Sequence, residues 1–182
     1  MFTPDDIMRG NLPAGEVVVF DDDTYYMGGV ICELLAKKGC RVRLVTPFPV
    51  VSPWSYFTWE QRRTQVRLME LGVELNTNRS LARLTDNGVV AACTYTGQEY
   101  AIPGASVVLV TERLPNESLY LDLVKDSSVL EEAGIKTVRA IGDCFAPGII
   151  ASAVYSGHLA ARELQESEEA IAFRRERIIV HS

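Results

Sequence analysis

Three consecutive aspartates, Asp21-Asp22-Asp23, stand where a short apolar run gives way to a helical pattern. In α/β domains a turn at that place holds the pyrophosphate of a dinucleotide. It then wants glycines for a tight turn, for close approach of the phosphates and for close helix–strand packing. Those positions are filled here by Asp21, Asp23 and Tyr26. Three carboxylates suit the positive end of a helix dipole, yet they oppose a phosphate in the same place. The end of the next strand should offer an acid for a ribose hydroxyl or an arginine for a 2′-phosphate. It offers Thr46. Two readings follow: a site given up and kept as scaffold, so that NAD(P) is not bound in the usual way, or aspartates that hold a cation or an interdomain Lys or Arg.

The other reactive side chains are sparse. Cys32, Cys40, Cys93 and Cys144 form no CxxC pair and have no histidine at ligand spacing, which argues against a metal or cluster site within the chain. Free thiols fit a reducing compartment. His158 falls inside a helical pattern and His181 in the tail, and no Ser/His/Asp or Cys/His arrangement is readable. No catalytic residue and no metal ligand is therefore assigned. A net charge of -6 argues against nucleic acid or an anionic membrane as the main partner. No apolar run approaches the ~20 residues of a membrane span. Met1 to Gly15, with Pro4, Asp5, Asp6 and Pro13, reads as a loop and not as a signal peptide. The cytoplasm is the expected compartment.

The elements around the aspartates have a clear order. Glu16 to Phe20 is an apolar, β-branched run, read as a buried parallel strand. Tyr25 to Lys38 carries Met27, Val30, Ile31, Leu34 and Leu35 at helical spacing and stops at Gly39. Arg41 to Thr46 is the next strand, completing a βαβ unit. A loop with Pro47, Pro49 and Pro53 carries Trp54, Tyr56 and Phe57. Thr58 and Gln61 then form a capping-box pattern for a helix whose buried side is Val66, Met69 and Leu71. Val73 to Leu75, Leu81 to Leu84, Val89 to Tyr95 and Tyr100 to Ile102 read as strands, with Asp86-Asn87-Gly88 as a hairpin turn. Ser106 to Thr111 is a second apolar strand. Leu119 to Gly134 is helical but broken near Asp126-Ser127-Ser128, Thr137 to Ile141 is a last strand, and a long helix runs from about Pro147 to Glu166. At 182 residues this makes one sizeable core or two small lobes. The fold class is α/β: a Rossmann-like parallel sheet flanked by helices, with a small antiparallel hairpin element.

Two further motifs close apolar strands: Val110-Thr111-Glu112-Arg113 and Ile141-Gly142-Asp143-Cys144-Phe145-Ala146-Pro147. Together with Thr3-Pro4-Asp5-Asp6-Ile7-Met8 and the Asp23-Thr24-Tyr25-Tyr26-Met27 turn, they carry a resemblance over essentially the whole chain. The chain resembles the C-terminal nucleotide-binding-like region of the trimethylamine, dimethylamine and histamine dehydrogenases. These are flavin oxidoreductases related to 2,4-dienoyl-CoA reductase.

The resemblance implies a larger enzyme with an N-terminal FMN-binding barrel, often with an iron–sulfur cluster, followed by FAD-like and NADPH-like domains. On that reading residues 1–14 are an N-terminal segment and 15–135 a NAD(P)-binding-like Rossmann domain with a degenerate glycine turn. Residues 136–182 are the returning segment of an FAD- or ADP-binding-like domain and the tail. Carried onto this sequence, a partial ADP or FAD site would use Gly142, Asp143, Pro147, Thr111 and Arg113, while FMN and the iron–sulfur cluster would belong to the barrel. Glu112 departs from the pattern, since FAD-type relatives have glycine there. The barrel and the first glycine-rich turn of the FAD-like domain have no counterpart here, so the chain reads as a C-terminal fragment whose partner is the barrel portion of the same enzyme. Two rivals stay open: a working NAD(P)H-binding reductase domain feeding a flavin, and a stand-alone interaction protein that forms a homo-oligomer through Trp54, Tyr56, Phe57 and Trp59.

Overall fold

A computed structural model describes residues 1–164 of the chain. The charged tail expected over 166–177 and His181 lie outside the described residues; the long helix expected over about 147–166 is shorter, Ile150–Arg162, with Glu163 as its C-cap. Two compact units divide the chain, Met1–Glu112 and a second beginning at Arg113.

The first unit is built on four parallel strands: β1 (Glu16–Asp21), β2 (Arg41–Val45), β3 (Glu74–Asn76) and β7 (Ser106–Val110), in the order β3-β2-β1-β7. Between them run β4 (Arg79–Thr85), β5 (Gly88–Cys93) and β6 (Glu99–Pro103), a separate antiparallel sheet. β1 is apolar from Val17 to Phe20 because both of its faces are covered there. Val17 and Val19 meet Ile31, Cys32 and Leu35 of α2 (Met27–Lys37) and Leu68 of α3 (Gln61–Glu70). Val18 and Phe20 meet Val89, Ala91 and Ile102 of the antiparallel sheet. The result is a three-layer stack with the parallel sheet in the middle. Arg43, buried within β2, ties the layers: it pairs with Glu74 (3.2 Å) and Glu16 (3.4 Å) and donates to the Pro103 carbonyl (2.8 Å).

Several local expectations are corrected. The N-terminal stretch is not all loop: α1 spans Pro4–Met8, closed by a capping box between Thr3 and Asp6. Phe2 bridges Val108 in parallel, and Ile7 is buried in the helical side of the core. α3 starts at Gln61, not Thr58, because the Gln61 amide is buried and donates to the Val51 carbonyl (3.2 Å) instead of closing a capping box. The chain from Pro53 to Thr58 forms a 3-10 turn. Leu68, not Val66 or Met69, is the fully buried residue of α3, and those two are exposed. The hairpin turn places positive φ at Gly88 alone, at 139°; a Cβ there would lie 2.8 Å from the Gly104 nitrogen and closer still to the Ile102 carbonyl.

The second unit holds α4 (Ser118–Val124), α5 (Ser127–Glu132) and α6 (Ile150–Arg162). The break between α4 and α5 comes from Asp126, whose carboxylate accepts the Ser128 N–H (3.0 Å) and starts a new helix. Thr137 to Ile141 is not a strand. Ile141 is extended (φ −136°, ψ 160°), but no described residue pairs with it, and an unpaired stretch makes no ladder. α6 has no buried residue, and Ile150, Val154 and Tyr155 are exposed. No helix among the described residues is long and apolar enough to cross a membrane.

Candidate functional site

The turn after β1 is closed by its own side chain. Asp21 ends the strand opposite Val110 and is 1% exposed. Its Oδ1 accepts the Asp23 N–H (3.2 Å). The remainder of the carboxyl rests on Gly28 in the first turn of α2, where a Cβ would lie 2.7 Å from Asp21 Cβ and closer still to the carboxyl carbon and Oδ2. Gly29 is equally tight on the other side, since a Cβ would lie 2.8 Å from Thr64 Cγ2 and 3.3 Å from Ser52 Oγ. The two glycines let α2 approach both β1 and α3.

The close helix–strand contact that a dinucleotide turn obtains from its last glycine is thus present, displaced two residues beyond Tyr26. What fills the contact is a carboxyl group. Burial, and then Asp23 and Asp22, push the Asp21 carboxyl up to about 7, against a backbone bond that pulls the other way. Asp22 is raised as well, by burial and by Glu112. The Asp22 N–H continues the ladder to the Val110 carbonyl (2.8 Å). Among the described residues, no group of three or more His, Cys, Asp or Glu is arranged to hold a metal ion. Thr46 is buried and turned inward, its hydroxyl accepting from the Phe48 N–H (3.4 Å), so β2 presents nothing to a ribose.

The aspartate turn is joined to the aromatic loop. Thr24 takes a left-handed conformation (φ 67°), and its carbonyl accepts the Trp54 N–H (3.0 Å). Tyr25 and Tyr26 meet edge-on (4.9 Å between centroids), as do Trp54 and Phe57 at a tilt (4.7 Å). Trp59 is 90% exposed.

The expected ADP or FAD residues fall on both units. Thr111 is exposed just after β7, at the end of the first unit, and Arg113, also exposed, opens the second. Gly142, Asp143 and Pro147 share one loop before α6. Gly142 has φ 60° and donates its N–H to Ser156 Oγ (3.0 Å), while Asp143, exposed, accepts from the Gly148 N–H (3.4 Å). The N-cap of α6, Ile149, supplies no side-chain cap.

Sequence reasoning grouped Cys93, at the end of β5, with the other free cysteines and gave it no distinct chemistry. The Thr96 hydroxyl first, then the backbone of Thr96 and Tyr95, bring its thiol down to about 7, with a small contribution from Arg79. Gly28-Gly29 were missed. Their signal was legible: two adjacent glycines in a helix cost about 1 kcal/mol each against alanine, so close approach is their usual reason.

Residues 2–107 match the family model of the OYE-like second alpha/beta domain. The chain belongs to this family. This OYE-like domain is similar to dimethylamine dehydrogenase of Hyphomicrobium sp. (strain x), 28% identical over 92% of this chain and 25% of that enzyme. Among solved structures it is similar to histamine dehydrogenase from Rhizobium sp. 4-9, with 41% identity and a TM-score of 0.88 over 100% of this chain and 29% of that one. It is also similar to the 6-hydroxypseudooxynicotine amine oxidase of Pseudomonas geniculata N1, with 35% identity and a TM-score of 0.79 over 87% of this chain and 24% of that one. The resemblance to the trimethylamine, dimethylamine and histamine dehydrogenase group of flavin oxidoreductases is borne out. The OYE-like chain spans only 25–29% of the length of the first relatives it matches.

Proposed function

We propose that this chain is a C-terminal module of an amine-dehydrogenase-like flavin oxidoreductase, structural in its work, with its own NAD(P) turn closed. The carrying observation is the Asp21 carboxyl resting on Gly28, buried at the place where a dinucleotide pyrophosphate would approach α2. A pyrophosphate does not fit there, since it would meet a carboxyl group and find no glycine at Asp21, Asp23 or Tyr26. The inward turn of Thr46 supports the same reading.

A partial ADP or FAD site is proposed at the loop before α6. Its donor set fits in kind. The first peptide N–H groups of α6 have no side-chain cap and suit a phosphate, and the exposed Asp143 carboxylate suits a ribose or ribityl hydroxyl. Gly142 and Pro147, on the same loop, would complete it. Exposed apolar side chains along the second unit, among them Leu114 (92%) and Ile150 (83%), support a brace that rests on another part of a larger enzyme. FMN and an iron–sulfur cluster would belong to that enzyme's N-terminal barrel.

Calorimetric titration of the chain with ADP, FAD, NADH and NADPH tests the reading. No binding of either pyridine nucleotide is expected, and any heat from ADP or FAD should disappear in Asp143→Ala. Tight NADPH binding would overturn the closed turn and favour a working reductase domain.

A further inference from the structure

Asp21 is a buried ionisable group whose proton the proposed function does not use. Its surroundings are those of a mechanical joint. The carboxyl fills a niche that exists only because residue 28 has no side chain. From that niche a short relay leads outward: Asp21 Oδ1 holds the Asp23 N–H, Thr24 follows in a left-handed conformation, and the Thr24 carbonyl holds the Trp54 N–H. The segment so held is under tension. Ser52 (φ 49°) and Trp59 (φ 62°) bracket it, both non-glycine residues in the left-handed region. Ser52 Oγ is buried with no hydrogen-bond partner among the described residues.

We propose that Asp21 is a proton-operated latch for the aromatic segment. With the carboxyl neutral, the Asp22–Tyr26 turn and the Trp54–Trp59 segment keep the geometry described above. Loss of the proton to solvent leaves a charged carboxylate in the niche, with the Asp23 N–H as its hydrogen-bond donor. The charge is drawn toward water, the Asp23 and Thr24 links are pulled with it, and the tension at Ser52 and Trp59 is released.

The charges around the niche favour this direction. Asp22 and Asp23 on its own turn are both negative and disfavour a third charge. From α2 the titratable neighbour is Cys32, fully buried, whose thiol is itself pushed up by burial and by Asp21. Beyond β7 stands Glu112, acting on Asp22. From β7 the facing residue is Val110, which is not titratable. Burial and these charges place the ionisation at about 7, within the range where a cell's pH varies.

The sequence provides its own reporter, because its only two tryptophans, Trp54 and Trp59, both lie in this segment. Tryptophan emission and acrylamide quenching of the full chain should change between pH 5.5 and 8.5 in one step centred near 7. Asp21→Asn should remove the step, with far-UV circular dichroism showing that the fold is kept, while Asp22→Asn should retain it. A flat wild-type profile, or an unchanged step in Asp21→Asn, overturns the latch. Should Asp21→Asn fail to fold, carbon-detected NMR of the wild type decides: one side-chain carboxyl must titrate near 7 with the same midpoint as the Thr24 and Trp54 amides. Different midpoints overturn it equally.

Discussion

Replacing Gly28 by alanine should destabilise the first unit, and the same replacement in an Asp21→Gly background should stabilise it. The new methyl carbon would stand 2.7 Å from Asp21 Cβ and closer to the carboxyl, where carbon atoms prefer about 3.5–4.0 Å. Neither neighbour yields easily, because Asp21 is locked in the β1–β7 ladder and α2 is packed against α3 through Gly29. Overpacking of this kind costs about 1–3 kcal/mol. Against it stands the gain from alanine over glycine in a helix, up to about 1 kcal/mol. Gly28→Ala alone should therefore lose about 1–2 kcal/mol. With Asp21→Gly both the carboxyl and its Cβ are gone and only the helix gain remains, so the sign reverses and the two sites should couple by about 2–3 kcal/mol, as residues in contact do. Urea unfolding of the four chains followed by tryptophan emission measures this, since both tryptophans report the first unit. Additive effects within about 0.5 kcal/mol would refute the claim that Asp21 occupies the space glycine leaves.

Two further outcomes follow from the buried and exposed ionisable groups. Asp21 has a folded-state value near 7 against 3.8 when unconstrained, so between those values the folded chain holds a proton that the unfolded chain has lost. Its contribution is intact below about pH 4 and falls as pH rises to 7, by up to about 4 kcal/mol, then stays level; Asp21→Asn should flatten that slope in urea titrations at each pH. Cys93 should react with iodoacetamide at pH 7 well before Cys32, because hydrogen bonds from Thr96 and Tyr95 hold its thiol near 7 while Cys32 is buried and raised. Peptide mapping that finds Cys32 labelled first would contradict this.

The sequence by itself determined the fold class of the first unit. β-branched runs with no polar face, such as Val17-Val18-Val19, require cover on both sides, and the helix between two such runs sets a parallel crossover. Asp86-Asn87-Gly88 marked the hairpin, and the loss of glycine at Asp21, Asp23 and Tyr26 marked an altered turn. Tertiary structure decided what that turn became. That Gly28 lies against Asp21 depends on how far α2 slides along β1, a distance set by packing and not by local preference. Leu68 took the buried place expected for Val66 and Met69 because Gln61 anchors α3 to the Val51 carbonyl, a contact across ten residues. Thr137 to Ile141 carries strand-forming residues but has no described neighbour to pair with, and a strand exists only through its partner. Periodicity and turn chemistry are local and can be read along the chain. The position of a carboxyl in a niche left by a missing methyl group is a property of two elements meeting.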